Sequence, residues 1–154
     1  MLGSQLTKSE ISTYLQIIDP FLFIDHIEQL IPGKSARCRK QLVETDWFFK
    51  CHLPHEQAMP GTLLTEAMLQ TLVLAIYAME GHQGKLSFVT ETKTQIFFKV
   101  TPGINLTIDA TLISYKRGIA KGEAVILQAD KKVCSGQFTF VSPHDLPSPR
   151  SAGR

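Results

Sequence analysis

From Pro60 to Met79 the chain carries a single charged residue, Glu66. Leu63, Leu64, Ala67, Met68, Leu69, Leu72, Val73, Leu74, Ala75, Ile76, Ala78 and Met79 project in nearly every direction around a helix. A helix over 63–80, closed by Gly81, that is apolar on all sides cannot lie on a surface, so something must surround it. After Gly84 the apolar period changes from 3.6 to 2. Strands are predicted over Lys85–Glu91, Gln95–Val100, Leu106–Tyr115, Ile119–Ala129 and Val133–Val141. Turns fall at Pro102-Gly103, Lys116-Arg117-Gly118 and Asp130-Lys131-Lys132. Two further strands, 21–30 and 34–43, flank Pro32-Gly33 ahead of the helix. This order predicts an α+β chain in which a curved antiparallel sheet wraps one long central helix.

The remaining segments are short. Thr7 and Glu10 have capping-box spacing, followed by an apolar face of Ile11, Tyr14, Leu15 and Ile18, so a first helix is expected before Asp19-Pro20. Residues 45–50 form a brief aromatic stretch, and Cys51–Gly61 is a loop stiffened by Pro54 and Pro60. A single domain over 1–141 is expected, with 142–154 an unstructured tail, because two prolines and two serines there come with no apolar pattern.

Composition narrows the function classes. A net charge of +2 gives no case for nucleic acid. Three widely spaced cysteines, Cys38, Cys51 and Cys134, do not form a disulfide framework. Residues 1–16 lack a basic and apolar leader pattern, and the longest apolar run is too short to span a bilayer. A cytoplasmic protein with reduced thiols and no membrane span is expected.

The chemistry concentrates in Phe48–Gln70, FFKCHLPHEQAMPGTLLTEAMLQ. A lone carboxylate in an apolar helix costs several kcal/mol or holds its proton, and a protonated carboxyl there is a competent general acid. Gln70 lies one turn beyond Glu66, where its amide can meet Glu66 or a ligand. Gly61 and Thr62 open the helix after Pro60, and their unpaired N–H groups at the positive dipole end suit an anion or a polarised carbonyl oxygen. Fifteen residues therefore offer a base, His52, an oxyanion donor, Gly61, and an acid, Glu66.

These residues resemble the β-hydroxyacyl-acyl carrier protein dehydratases of fatty-acid synthesis, FabZ-like and more distantly FabA-like. That family's His-Phe-Pro, Met-Pro-Gly and Glu-Ala-Met-x-Gln are matched by His52-Leu53-Pro54, Met59-Pro60-Gly61 and Glu66-Ala67-Met68-Leu69-Gln70, with His and Glu fourteen apart as the family requires. Pro20-Phe21-Leu22, Asp25, Pro32-Gly33-Lys34, Phe48-Phe49, Pro102-Gly103, Arg117-Gly118-Ile119 and Lys121 extend the likeness over about residues 18–141. The resemblance implies a hot-dog fold, an acyl carrier protein as partner, no cofactor and no metal. It also implies homodimers, or a higher assembly such as a trimer of dimers, with the His of one subunit facing the Glu of the other. It assigns His52 to removal of the C2 proton, Ala58 to orienting its ring through the backbone carbonyl, Gly61 to the thioester carbonyl, and Glu66 to protonating the 3-hydroxyl. Glu rather than Asp resembles the dehydratase-only branch.

The departures are Cys51 for Gly, Leu53 for Phe, His55-Glu56-Gln57 for Gly-His-Pro, Val89-Thr90 for Ala-Gly, and Ile96-Phe97-Phe98-Lys99 for Phe-Arg/Lys-Arg-Pro. They point to a different acyl chain or carrier, in fatty-acid or in specialised polyketide or aryl-polyene synthesis.

Other readings compete. Cys51-His52-x-x-His55-Glu56 offers zinc-type ligands but lacks a second cluster to complete them. Cys51 as a nucleophile lacks an orienting acid. Phe97 and Phe98, with the Met68/Met79 pair, line an acyl tunnel on one reading and are plain core on the other. Two basic groups, Lys34/Arg37/Arg39/Lys40 and Lys116/Arg117/Lys121, either steer an acidic carrier or protect strand edges. At the level of function, the alternatives to dehydration are a thioesterase on the same fold and a non-catalytic acyl-binding module.

Overall fold

A computed structural model describes residues 6–149 of the chain. Its elements run α1 (Lys8–Leu15), β1 (His26–Ile31), β2 (Ser35–Gln41), α2 (Trp47–Cys51), α3 (Gly61–Tyr77), β3 (Phe88–Ile96), β4 (Asn105–Lys116), β5 (Ile119–Gln128) and β6 (Lys131–Val141), then a 3-10 turn at Pro143–Asp145. The strands form one sheet in the order β1-β2-β4-β5-β6-β3, and every pairing is antiparallel.

The sheet curls around α3. From Ala67 to Ala78 every residue of that segment is buried, as an all-round apolar helix requires. The strands bury alternate residues against it: Leu106, Ile108, Ala110 and Leu112 on β4, and Ala120, Ala124 and Ile126 on β5. Helix and sheet approach closely at Gly122, where a Cβ would stand 2.7 Å from both Leu72 methyls and 2.9 Å from the Thr111 carbonyl oxygen. The β4–β5 connection is a two-residue hairpin in which Arg117 and Gly118 both have positive φ, matching the twist of the flanking strands. This is the curved antiparallel sheet around one central helix that the patterning predicts, and the hot-dog architecture that the resemblance implies.

Several expectations are corrected. The strands expected at 85–91 and 95–100 are one strand, β3, running through Glu91–Thr94. It is the last strand of the sheet, exposed on both faces, so it lacks the alternation that marks a half-buried strand. The aromatic stretch at 45–50 is the short helix α2. Ile18 lies beyond α1 and is exposed rather than part of its apolar face. The expectation of an unstructured tail from residue 142 does not hold at its start. Ser142 is buried, its N–H donates to the Gly118 carbonyl at 2.7 Å, and a 3-10 turn follows. Residues 150–154 lie outside the described residues.

Cys38 and Cys134 are buried free thiols, and burial pushes them up to about 12 and about 11, which leaves them protonated and inert. No helix among the described residues is long and apolar enough to cross a membrane.

Candidate active site

His52 caps the C-terminus of α2, its N–H donating to the Phe48 carbonyl at 3.0 Å. That helix has only five residues and holds its place through Phe48 and Phe49, which are buried and stack with each other and with Phe23. The chain then turns tightly. Leu53 and Gln57 both take positive φ, and the N–H groups of Glu56 and Gln57 donate to the Leu53 carbonyl. This turn returns the backbone to His52, so that the imidazole Nδ1 lies 3.3 Å from the carbonyl oxygen of buried Ala58. A carbonyl oxygen only accepts, so Nδ1 carries the hydrogen in this contact, and in a neutral ring Nε2 then has the lone pair. The Met59 N–H donates to the Val100 carbonyl at 2.9 Å and fixes the loop beside the sheet.

Pro60 stands at the N-cap of α3, and no side chain caps the helix. The N–H groups of Gly61 and Thr62 therefore have no intrahelical acceptor, at the end where the helix dipole is positive. Thr62 is exposed. A Cβ on Gly61 would collide with the Ile96 Cδ1 methyl, so the end of β3 lies directly over this turn. Thr65 on α3 bonds Thr94 on β3 at 3.2 Å and fastens the same two elements together.

Glu66 is partly buried one turn further on, and burial raises its carboxyl above the usual range, with the Gln70 hydrogen bond opposing the shift. Gln70 is 1% exposed and its amide is fully used within the chain. The Phe23 N–H donates to Oε1 at 2.9 Å, while Nε2 donates to the Phe21 carbonyl at 2.8 Å and to Glu66 Oε1 at 3.0 Å. Gln70 thus holds the Glu66 carboxyl, and both of its amide hydrogens are engaged within the chain. The backbone at Phe21–Phe23 is a part of the site that sequence reasoning did not assign a role; no side-chain motif marks a backbone donor and acceptor.

Among the hydrogen bonds of the described residues none joins His52 to Glu66. Phe97 and Phe98 lie on the surface of the chain at 47% and 45% exposure, the Phe98 ring covered by the Lys131 ammonium 3.6 Å away, so they line no interior tunnel of one chain. With Phe88, Val89 and Ile96 they form an exposed apolar rim along and just beyond β3. Two departures from the resemblance meet: Glu56, in the His52 loop, pairs with Lys99 at 2.9 Å. Cys51 is exposed and free.

The first basic group is largely neutralised. Arg37 pairs with Asp109, Arg39 with Glu28, and buried Lys40 with Asp25. The second sits on the β4–β5 hairpin near the C-terminal end of α3, as the contact of Tyr115 with His82 shows, whereas the site is at the N-terminal end.

A family model described as FabA-like domain matches residues 18–137. The chain is similar to the 3-hydroxyacyl-acyl-carrier-protein dehydratase FabZ of Macrococcus caseolyticus, 36% identical over 136 residues that make up 88% of this chain and 94% of that protein. Among solved structures, the dehydratase heterocomplex ApeI:P from Xenorhabdus doucetiae superposes with a TM-score of 0.73 at 15% identity, covering 86% of this chain and 90% of that one. The zebra fish thioesterase superfamily member 2 does so with 0.69 at 14% identity, covering 90% and 99%. At those identities the likeness is one of fold. The family model spans most of the chain, and the curated relative aligns over nearly all of it: this chain belongs to the FabA-like family.

Proposed function

We propose that this protein is a dehydratase that removes water from a 3-hydroxyacyl thioester presented by an acyl carrier protein and leaves the trans-2-enoyl thioester. The observation that carries the reading is the opposed setting of two groups. The Ala58 carbonyl engages His52 Nδ1 and leaves Nε2 unengaged, while burial raises the Glu66 carboxyl above its usual range, toward the form that can give up a proton. In the reaction His52 Nε2 takes the C2 proton, and the C2–H electron pair becomes the C2–C3 double bond. The C3–O bond breaks, and Glu66 delivers its proton to the departing hydroxyl, so that water leaves. The Gly61 N–H, at the uncapped end of α3, holds the thioester carbonyl oxygen as negative charge develops on it. Gln70 keeps the Glu66 carboxyl aimed throughout.

The complete site is formed by a homodimer. Among the described residues β3 has no partner on its outer edge, its two ends carry exposed apolar residues, Phe88 and Val89 at one and Ile96 with the adjoining Phe97 and Phe98 at the other, and an unpaired edge of this kind calls for covering. Because Ile96 lies over Gly61, pairing along this edge brings the second chain to the site, and the resemblance implies that His52 then faces Glu66 of the partner subunit. Phe97 and Phe98 then lie at the seam, where they flank the acyl chain, and Val89 and Thr90 on the same strand tune which chain or carrier is accepted.

The test is to incubate the protein with 3-hydroxyacyl thioesters on carrier protein and on a small thiol, following enoyl absorbance and free thiol together. Enoyl product without thiol release is expected. Thiol release without enoyl product overturns the reading in favour of hydrolysis. Neither signal, across several chain lengths, overturns it in favour of binding alone.

A further inference from the structure

A second cluster of chemistry-bearing side chains lies at the other end of α3. His82 follows that helix, His144 and Asp145 stand on the 3-10 turn, and Tyr115 sits near the end of β4. Elements from three parts of the chain thus converge on one point, and none of these residues takes part in the elimination. From Glu66 to the end of the helix at Tyr77 is about 16 Å at 1.5 Å per residue.

Three distances define the point. His82 Nε2 lies 3.0 Å from Asp145 Oδ2, His144 Nε2 lies 3.6 Å from the same oxygen, and the three ligand atoms all fall within 4.8 Å of one another. In a tetrahedral zinc site with bonds of about 2.0–2.1 Å, neighbouring ligand atoms stand roughly 3.3 Å apart. The two contacts to Asp145 bracket that edge. The His82 side chain is 14% exposed, whereas His144 and Asp145 belong to an exposed turn, and Asp145 at 37% leaves one side open to a water ligand.

Proton accounting makes the arrangement informative. His82 Nδ1 lies 3.1 Å from the Glu80 carbonyl oxygen, so Nδ1 carries the hydrogen in that contact and a neutral ring has a lone pair on Nε2. That lone pair faces a carboxylate oxygen at 3.0 Å. Tyr115 has one hydroxyl hydrogen, and its oxygen is 2.6 Å from Asp145 Oδ2 and 3.1 Å from His82 Nε2, so it satisfies one of them and not both. An acceptor therefore meets an acceptor unless a second proton or a metal ion stands between them. A backbone carbonyl behind one imidazole and a phenol behind the carboxylate are also the outer partners that orient metal ligands.

We infer that His82, His144 and Asp145 bind a zinc-class divalent cation, with water in the fourth position and Tyr115 holding the carboxylate. This departs from the expectation of a metal-free chain, but the ion is structural. It ties the C-terminal turn to the exit of α3 and to β4, and takes no part in turnover.

The experiment uses the full chain stripped with EDTA and titrated with Zn(II) against a chromophoric chelator, with Co(II) as the spectroscopic probe. One ion per chain, a tetrahedral Co(II) spectrum and a rise in Tm with Zn(II) are expected. The double variant His82→Ala/His144→Ala should lose the ion, and Tyr115→Phe should weaken binding about 10–100-fold, as for an outer-shell partner. His144→Gln, at the more exposed histidine, should lose the tetrahedral spectrum even where the double variant folds poorly. Stoichiometric binding that persists in the folded double variant places the ion elsewhere, the Cys51, His52 and His55 group included, and overturns the proposal. Absence of binding by the stripped wild type overturns it as well, and leaves a proton in the cation's place.

Discussion

Replacing Gln70 with methionine, which has similar length and no amide, should both weaken the protein and move its pH profile in a set direction. Three hydrogen bonds disappear. The Phe23 N–H is left buried without a partner, at a cost of roughly 1–3 kcal/mol. The Phe21 carbonyl belongs to a residue 45% exposed, can turn to water, and adds little. At about 2–4 °C per kcal/mol for a chain of this size, Tm falls by roughly 2–12 °C at fixed protein concentration. Glu66 loses the one contact that favours its charged form, and burial then acts unopposed. Its carboxyl moves further above the usual range. The acid must be protonated to work, so the proton persists to higher pH and the alkaline limb of kcat/KM shifts upward. Turnover at the optimum falls about 10–100-fold, because the carboxyl is no longer aimed. Thermal melts together with a pH-rate profile on a 3-hydroxyacyl thioester read all three quantities. An alkaline limb that stays in place or moves down in a folded variant would refute the positioning role, and an unchanged Tm would refute the stability argument.

Other perturbations separate fold, assembly and chemistry. His52→Ala and Glu66→Gln should each lower kcat/KM about 10²-fold or more while leaving Tm near wild type, and wild-type turnover in either removes the role assignment. Phe88→Glu, on the exposed end of β3, should shift the protein from dimer to monomer in sedimentation and abolish dehydration with it. A dimer that persists in this variant argues against pairing along that edge. Gly122→Ala should cost about 1–3 kcal/mol in denaturant melts, because its Cβ meets Leu72 and the rigid Thr111 carbonyl. Treatment with EDTA should leave steady-state dehydration unchanged.

How much was legible in the sequence depended on how each segment meets its surroundings. α3 was readable because burial on all sides leaves an unmistakable pattern, with Gly61 and Thr62 opening it as expected, although it ends at Tyr77, three residues short of the expected 80. β4, β5 and β6 were readable because one face packs on the helix and the other meets water. β3 was misread as two strands because both of its faces are exposed among the described residues, and Thr90–Gln95 is polar throughout. α2 escaped because five residues do not display a helical period. Within the site, His52, Glu66 and Gly61 stood out by spacing. The clamp at Phe21 and Phe23 did not, since a backbone amide and carbonyl are common to every residue.

The group that sets the His52 ring is a main-chain oxygen, at Ala58. A truncation scan of the loop would therefore find an imidazole with no third member behind it, because shortening the side chain at 58 leaves the orienting atom in place. Nor does that oxygen carry the full negative charge with which a carboxylate would steady an imidazolium. The base is aimed by the shape of the loop, and the left-handed backbone at Leu53 and Gln57 is where that aim is set. Changes to the path of the chain between 53 and 57 should disturb the chemistry more than removal of any side chain there.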